Sequence, residues 1–186
     1  MSRICVLVVC LVFSAGLYSQ EQKSTRETKQ EASQRKKEER EAKMEKQFRQ
    51  TDSLLKARRF VLEAHFLKPG SGDRIPVSST LNFISVDSVT AMLQIGSFQR
   101  VGVNGAGGIT EPGKISRWNL EKDDKRKNFY LTMTIRGDYN TYDVSMNIDY
   151  AGNSDATLTG IRMGSLMFEG NVVSEEETVI FRGQKH

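Results

Sequence analysis

Hydrophobic and polar residues alternate strictly along several stretches of the C-terminal part of this chain. The hydrophobic positions of four such stretches are Phe60, Leu62, Ala64 and Phe66; Val89, Ala91, Leu93 and Ile95; Phe129, Leu131, Met133 and Ile135; and Tyr142, Val144, Met146 and Ile148. Strict alternation places one face of a strand in a dry core and the other in water, which is typical of an antiparallel sheet. The pattern predicts a mainly β domain over residues 51–186.

The breaks between these stretches are short and rich in turn-forming residues. They include Asp87-Ser88 and residues 137–140, and Gly170-Asn171 predicts a two-residue hairpin loop. Because short connections cannot carry a parallel crossover, consecutive strands should pair in sequence order. We therefore expect about eight strands in one antiparallel meander that forms a small barrel or a strongly curved sheet, lipocalin-like in architecture.

A charged arm precedes this domain. Residues 20–50 consist mostly of Glu, Lys, Arg and Gln, with Glu often four residues before a basic partner, as in Glu39 and Lys43. Such pairs favour a helix, and we expect one from about Ser33 to Arg58, with disorder before it. The apolar residues of its last turns, which can dock on the β domain, are Met44, Phe48, Leu54 and Leu55. The arm is interpreted as a solubilising spacer; a tether or a contact with anionic surfaces is the alternative.

The first nineteen residues have the order of a secretory signal peptide. Arg3 provides a short positively charged start, and an apolar run follows from Ile4 to Leu17. Small residues precede the expected cleavage after Ser19. The sequence thus predicts an exported protein, periplasmic or associated with the outer envelope and possibly released, with no transmembrane span after signal removal. Cys5 and Cys10 would leave with the signal, so the mature chain would contain no cysteine, disulfide or thiol nucleophile.

The positive charge lies in the arm and not in the β domain. Residues 21–50 hold ten basic and seven acidic residues, whereas residues 51–186 hold sixteen of each. A neutral globular part has no electrostatic footprint for nucleic acid, so no nucleic-acid partner is expected.

The glycine-rich stretch from Gly102 to Lys114 resembles a phosphate-binding loop in spacing only. Ile115 occupies the place of the hydroxyl residue that would hold magnesium, and residues 115–120 are predicted to form a strand, so no helix N-terminus is available for a phosphate. We interpret the stretch as a flexible or bulged loop. With the sole tryptophan it forms the candidate binding loop, whose residues are Asn104, Gly105, Gly107, Gly108 and Trp118. Core packing is the favoured role of Trp118.

Catalytic and metal chemistry find no support in the sequence. His65 and His186 are the only histidines, and neither belongs to a ligand or triad pattern. No calcium-loop spacing is present around Asp138 or Asp149. We therefore predict no catalytic residue, no metal ligand and no cofactor, and interpret the protein as a non-enzyme.

Several short motifs resemble one family in their order and spacing. They are Phe60-Val-Leu-Glu-Ala64, Ile75-Pro-Val-Ser-Ser-Thr-Leu-Asn-Phe83 with Val86-Asp-Ser-Val-Thr-Ala91, Gly105-Ala-Gly-Gly-Ile-Thr110, and Tyr142-Asp-Val-Ser-Met146 with Gly152-Asn-Ser-Asp-Ala156 and Gly160. Over residues 52–173 the chain resembles the secreted Bacteroidetes proteins of the domain of unknown function 4251 family. The resemblance implies a signal peptide, a charged helical lead-in and a compact antiparallel β domain, and it implies no activity or site residues. Residues 92–103 depart from the family pattern.

Two functions remain open at this point. The first is a non-enzymatic envelope domain that binds a protein partner or an extended ligand through its rim loops, because rigid β scaffolds present recognition loops in this way. The second is a carrier of a small apolar ligand or lipid inside the barrel, because about eight strands is near the size at which a cavity can open. A filled core is the favoured interpretation of the inward face.

Overall fold

The computed structural model of this protein describes residues 2–70, 72–96, 108–138, 140–160 and 164–180, with side chains described from residue 29 onward. The chain divides into two compact units, residues 1–43 and residues 44–186. Within the described part, no helix is both long enough and apolar enough to cross a bilayer.

One helix, α1, covers Ser2–Ala57. It begins well before the predicted Ser33, so the predicted disorder at the start of the arm is wrong. The physical reason is composition, since Glu, Lys, Arg and Gln are good helix formers and no Gly or Pro interrupts residues 17–57. Its end matches the prediction within one residue. Arg58 adopts a left-handed conformation (φ 52°), and its N–H donates to the Leu55 carbonyl at 3.2 Å, which terminates the helix.

The second unit is a closed antiparallel barrel, as the alternation predicts. The strands are β1 (Arg59–Pro69), β2 (Ile75–Pro76), β3 (Phe83–Asp87), β4 (Thr90–Ile95), β5 (Ile109–Asp123), β6 (Asn128–Gly137), β7 (Thr141–Asp149), β8 (Asn153–Gly160) and β9 (Gly164–Val173). Eight of them pair in sequence order and β9 closes on β1, while the short β2 adds to β1. Each of the eight barrel strands therefore has a paired neighbour on both sides.

The hairpin predicted at Gly170-Asn171 is wrong, because both residues lie within β9. Gly170 pairs with Ala64 of β1, and a Cβ atom there would lie 1.8 Å from the Glu63 carbonyl oxygen. Glycine is needed at this position for a close approach of two backbones and not for a turn. Gly160, the last residue of β8, pairs with Gly164, the first residue of β9.

A β-bulge in β1 reverses the facing that strict alternation predicts for Phe66 and Leu67. The register of β1 on β9 shifts between Ala64 and Phe66, which makes His65 the extra residue. Up to Ala64 the predicted inward positions are correct. Beyond the bulge, Leu67 takes the inward position at 7% exposure, and Phe66 lies on the outward face opposite Glu169.

The inward faces of the strands form one filled core. Its barrel residues that are at most 3% exposed are Phe60, Leu62, Ala64, Ile84, Val86, Leu93, Phe129, Leu131, Met133, Ile135, Tyr142, Val144, Met146, Ile148, Ala156, Leu158 and Phe168. Each such large apolar side chain contributes about 1.5–3 kcal/mol through burial.

The last turns of α1 close one end of this core, as predicted. Phe48 and Leu55 are buried, and the Phe48 ring lies 4.8 Å from that of Phe129. The Nζ atoms of Lys122 and Lys127 lie 4.7 and 4.6 Å from the centre of the Phe48 ring, within range of cation–π attraction.

Asp52 adds a charged contact between α1 and the strands. Its Oδ2 accepts from Lys56 at 2.9 Å and from Lys122 at 3.3 Å. Burial opposes ionisation of Asp52, but these two ammonium donors outweigh it and hold the pKa of this carboxyl below its usual value.

Candidate functional site

Three residues of the predicted binding loop, Asn104, Gly105 and Gly107, lie outside the described residues. The other two, Gly108 and Trp118, lie on β5 and its approach, ten residues apart along an extended strand. At about 3.4 Å per residue they are about 30 Å apart, so the fold does not bring them together.

Gly108 and Trp118 each have a structural role. A Cβ atom on Gly108 would lie 1.9 Å from the Ile95 carbonyl oxygen, so glycine allows the chain to enter β5 beside β4. Trp118 is half-buried against the core, 6.4 Å from the Phe60 ring, with the Arg58 guanidinium 4.8 Å above it. The strand predicted over residues 115–120 is present as part of β5. The loop predicted over residues 102–114 is wrong for residues 109–114, which already belong to β5 and pair with β4.

A buried polar cluster lies just beyond Gly108, inside the barrel. The Tyr142 hydroxyl donates to Glu111 Oε2 at 2.5 Å, and the Asn140 backbone N–H donates to Glu111 Oε1 at 3.1 Å. Burial, followed by the hydrogen bond to Glu111 and its negative charge, raises the pKa of Tyr142 to about 12. Because the Glu111 carboxylate is 6% exposed and already satisfied by these donors, the cluster stabilises the barrel end.

The outer wall of the barrel carries a more open polar site, which we call the polar groove. It has a volume of about 350 Å³, within the range of ligand sites. Its lining residues are His65, Phe66, Arg74, Asn128, Asn147, Asp149, Asn153, Ser154, Asp155, Glu169, Gly170 and Asn171. Most of them project from β7, β8, β9 and β1, so a rigid closed sheet fixes their spacing.

The strand register arranges the outward side chains of the polar groove in cross-strand rows. One row runs across five strands through Tyr130, which lies outside the groove lining, and then through Asn147, Asp155, Glu169 and Phe66. It has an aromatic ring at each end and amide or carboxylate groups between them. A second, parallel row contains the pairs Asn128–Asp149 and Asn153–Asn171.

The bulge in β1 shapes one wall of the polar groove. It adds the exposed His65 to the rim and turns Phe66 outward. The Arg74 guanidinium lies 3.4 Å from the centre of the Phe66 ring and forms an ion pair with Glu169 at 2.5 Å. These three side chains hold one another in place, so the wall is fixed before any ligand arrives.

Several polar side chains in the polar groove are available for a ligand. Asn128, Asn147, Asn171 and Asp155 make no side-chain hydrogen bond or ion pair with another described residue. Asp149 differs, because it accepts from the backbone N–H groups of residues 151 and 153 and from the Asn153 amide. The carboxylate of Asp149 therefore stabilises a turn, whereas the three amides and the Asp155 carboxylate can contact a ligand.

A second groove of about 590 Å³ lies on the opposite part of the wall, over β3 to β6. It is lined by Ser85, Asp87, Thr90, Ala91, Met92, Pro112, Gly113, Lys114, Arg136, Asp138 and Glu175. Its described lining contains no amide side chain, and the two cations of that lining lie among three acids, of which Asp87 already pairs with Arg59 at 3.4 Å. The polar groove has three amide side chains without a partner among the described residues and is the stronger candidate.

Sequence reasoning missed the polar groove. Its signal was the repeated Asn and Asp at outward positions, namely Asn147, Asp149, Asn153, Asp155 and Asn171. Within the described part of the chain, no group of three or more His, Cys, Asp or Glu side chains is placed to hold a metal ion.

Comparison with known proteins adds a family and a fold. Residues 42–172 match the family described as a domain of unknown function, DUF4251. A crystal structure of a DUF4251 family protein from Bacteroides eggerthii is similar, with 24% sequence identity and a TM-score of 0.61. The alignment covers 75% of this chain and 95% of that chain. No curated protein matches the sequence.

Proposed function

This chain belongs to the DUF4251 family, and from that premise we propose that it is an exported, non-enzymatic binding module whose ligand lies in the polar groove. The observation that carries the proposal is the row of polar side chains on a closed barrel wall, of which Asn147 and Asp155 make no hydrogen bond or ion pair with another described residue. Convergent polar groups on a rigid surface are the usual form of a recognition site.

The proposal moves the binding surface from the rim loops to the barrel wall. Amide and carboxylate groups that do not pair within the protein can exchange water for a ligand at small cost. Those of Asn147 and Asp155 lie directly opposite each other on β7 and β8, so one ligand can contact both. The leader predicted over residues 1–19 supports export, to the periplasm or the outer envelope.

The filled interior favours a surface site over the carrier alternative. Side chains that line a cavity large enough for a lipid would keep accessible surface, yet the core side chains named above for the described strands are at most 3% exposed. Native mass spectrometry of the protein purified from its envelope should give the mass of the chain alone. A co-purifying adduct of lipid mass would support the carrier and contradict a filled barrel.

Saturation-transfer NMR with fractionated envelope extract tests the binding role. We expect a water-soluble fraction to give signals with the wild type and with Asn119→Ala, and to give none with the double variant Asn147→Ala/Asp155→Ala. Asn119 is a matched control, because it is an exposed strand amide outside the polar groove. Signals that the double variant retains, or signals from the lipid fraction alone, would contradict the proposal.

A further inference from the structure

We infer that the ligand of the polar groove is a neutral, hydroxyl-rich oligosaccharide, an inference that rests on the proposed binding role of this groove. The amides of Asn128, Asn147 and Asn171 each offer two N–H donors and one carbonyl acceptor. The Asp155 carboxylate adds acceptors only. A sugar hydroxyl both donates and accepts, so a saccharide matches this mixture of groups, and none of them is engaged with another described residue.

The charge of the polar groove selects a neutral ligand over an anionic one. The described arginine of its lining, Arg74, is already bound to Glu169. The Asp149 carboxylate accepts hydrogen bonds from the backbone N–H groups of Ala151 and Asn153 in its own turn. The negative charge of Asp155 has no compensating partner among the described residues. A phosphate or a carboxylate would meet this negative charge without a free arginine or lysine in the described lining, and like charges repel at close range.

The length of the row selects an extended ligand. Within the groove the row crosses four strands from Asn147 to Phe66, and at about 4.8 Å between neighbouring strands it extends about 14 Å along the wall. Tyr130 is 39% exposed, and Phe66 is half-buried beneath Arg74. The exposed Tyr130 ring, which continues the row onto β6, provides apolar surface for the C–H face of a sugar ring, while the polar groups of the row bind hydroxyls.

The closed barrel disfavours a peptide that binds as an added strand. Strand addition requires an edge with unpaired N–H and C=O groups, and β7, β8, β9 and β1, which form the groove wall, are each paired with a strand on both sides there. The row between the two rings also lacks the apolar pocket that would anchor a helical peptide. Recognition at this wall must therefore proceed through side chains, which suits a saccharide.

Isothermal titration calorimetry with defined probes tests the inference. The probes are neutral hexasaccharides of β-glucan, α-mannan and chitin, together with hexagalacturonate as an anionic sugar and hexalysine as a cationic peptide. We expect at least one neutral hexasaccharide to bind and hexagalacturonate not to bind. Asn147→Ala and Asp155→Ala should each weaken binding about tenfold or more, whereas Asn119→Ala should leave it unchanged.

The outcomes separate this inference from the proposed function. Binding of hexalysine alone, abolished by Asp155→Ala, would overturn the saccharide and keep the polar groove as a binding site. Binding of a neutral hexasaccharide that both groove variants retain would overturn the polar groove itself. No heat with any neutral hexasaccharide would also overturn the saccharide. Unchanged unfolding midpoints of the variants show that a lost affinity is not a folding defect.

Discussion

Strands β6 to β9 carry two different surfaces, one on each side of the barrel wall. Their inward side chains, such as Leu131 and Met146, are apolar and almost inaccessible to water. Their outward neighbours, such as Asn147 and Asp155, are polar, exposed and unpaired within the described protein. The difference teaches that stability depends on one set of alternate residues and the proposed recognition on the other, so we expect that each can be changed without the other.

The largest effect on stability should come from removing a buried inward side chain, compared with removing the outward side chain next to it in sequence. Phe129→Ala removes a fully buried ring that stacks on Phe48, and we expect it to lower the free energy of unfolding by about 3–5 kcal/mol. Tyr130→Ala, one residue away on the outward face, should cost less than about 1 kcal/mol. Urea unfolding measures both; equal losses would contradict the separation of the two surfaces.

A smaller loss should come from the polar cluster of Tyr142 and Glu111 inside the barrel. Tyr142→Phe removes the hydroxyl that donates to Glu111 and leaves a buried carboxylate with fewer donors, at a cost of about 1–3 kcal/mol. Tyr150→Phe is the matched control, because the Tyr150 hydroxyl makes no hydrogen bond with a described residue. If both variants unfold at the same urea concentration as the wild type, the cluster does not contribute to stability.

The same cluster should give the barrel a dependence on alkaline pH. Folding raises the pKa of Tyr142 from 10.0 to about 12, so the protonated phenol is favoured in the folded state. The resulting stability is present in full below pH 10 and is lost as the pH rises through about 12. Unfolding monitored by Trp118 fluorescence should show a wild-type advantage over Tyr142→Phe that shrinks across this interval. A constant advantage would show that Tyr142 does not titrate there.

The smallest effect on stability should come from the polar groove. Asn147→Ala and Asp155→Ala remove exposed side chains without partners among the described residues, and each should change the free energy of unfolding by no more than about 0.5 kcal/mol. Their affinity for a neutral hexasaccharide, by contrast, should fall about tenfold or more. A loss of several kcal/mol on denaturant unfolding would mean that these groups stabilise the barrel, and the two surfaces would then not be separable.

The inward surface could be predicted from sequence because it depends on local alternation. Phe60, Leu131 and Tyr142 each occupy the inward position that the period of two assigned to them. The prediction was wrong for Phe66, because a bulge adds one residue and reverses the facing of the residues after it. It was also wrong for Gly170, whose role is set by a backbone on a distant strand. Neither the bulge nor the close approach of the two backbones can be predicted from the local alternation of hydrophobic and polar residues.

The polar groove could not be predicted because its rows join residues that are far apart in sequence. Phe66 and Glu169 are opposite each other only because β9 closes on β1. Register decides whether Asn147 lies opposite Asp155 or one position away, and a shift by one residue would separate them. The candidate loop, by contrast, was predicted from a local motif, because repeated glycine can be seen in the sequence whether its role is functional or structural.

Chemical-shift mapping of both the amide and the methyl groups of the isotope-labelled protein tests the central claim most directly. When the tightest ligand from the calorimetric series is added, the perturbed amides should cluster on the outward rows of β7, β8, β9 and β1, around Asn147, Asp155 and Glu169, while the inward methyl groups of Leu131 and Ile148 remain unshifted. Shifts concentrated on the inward methyl groups, or on the wall formed by β3 to β6, would contradict it.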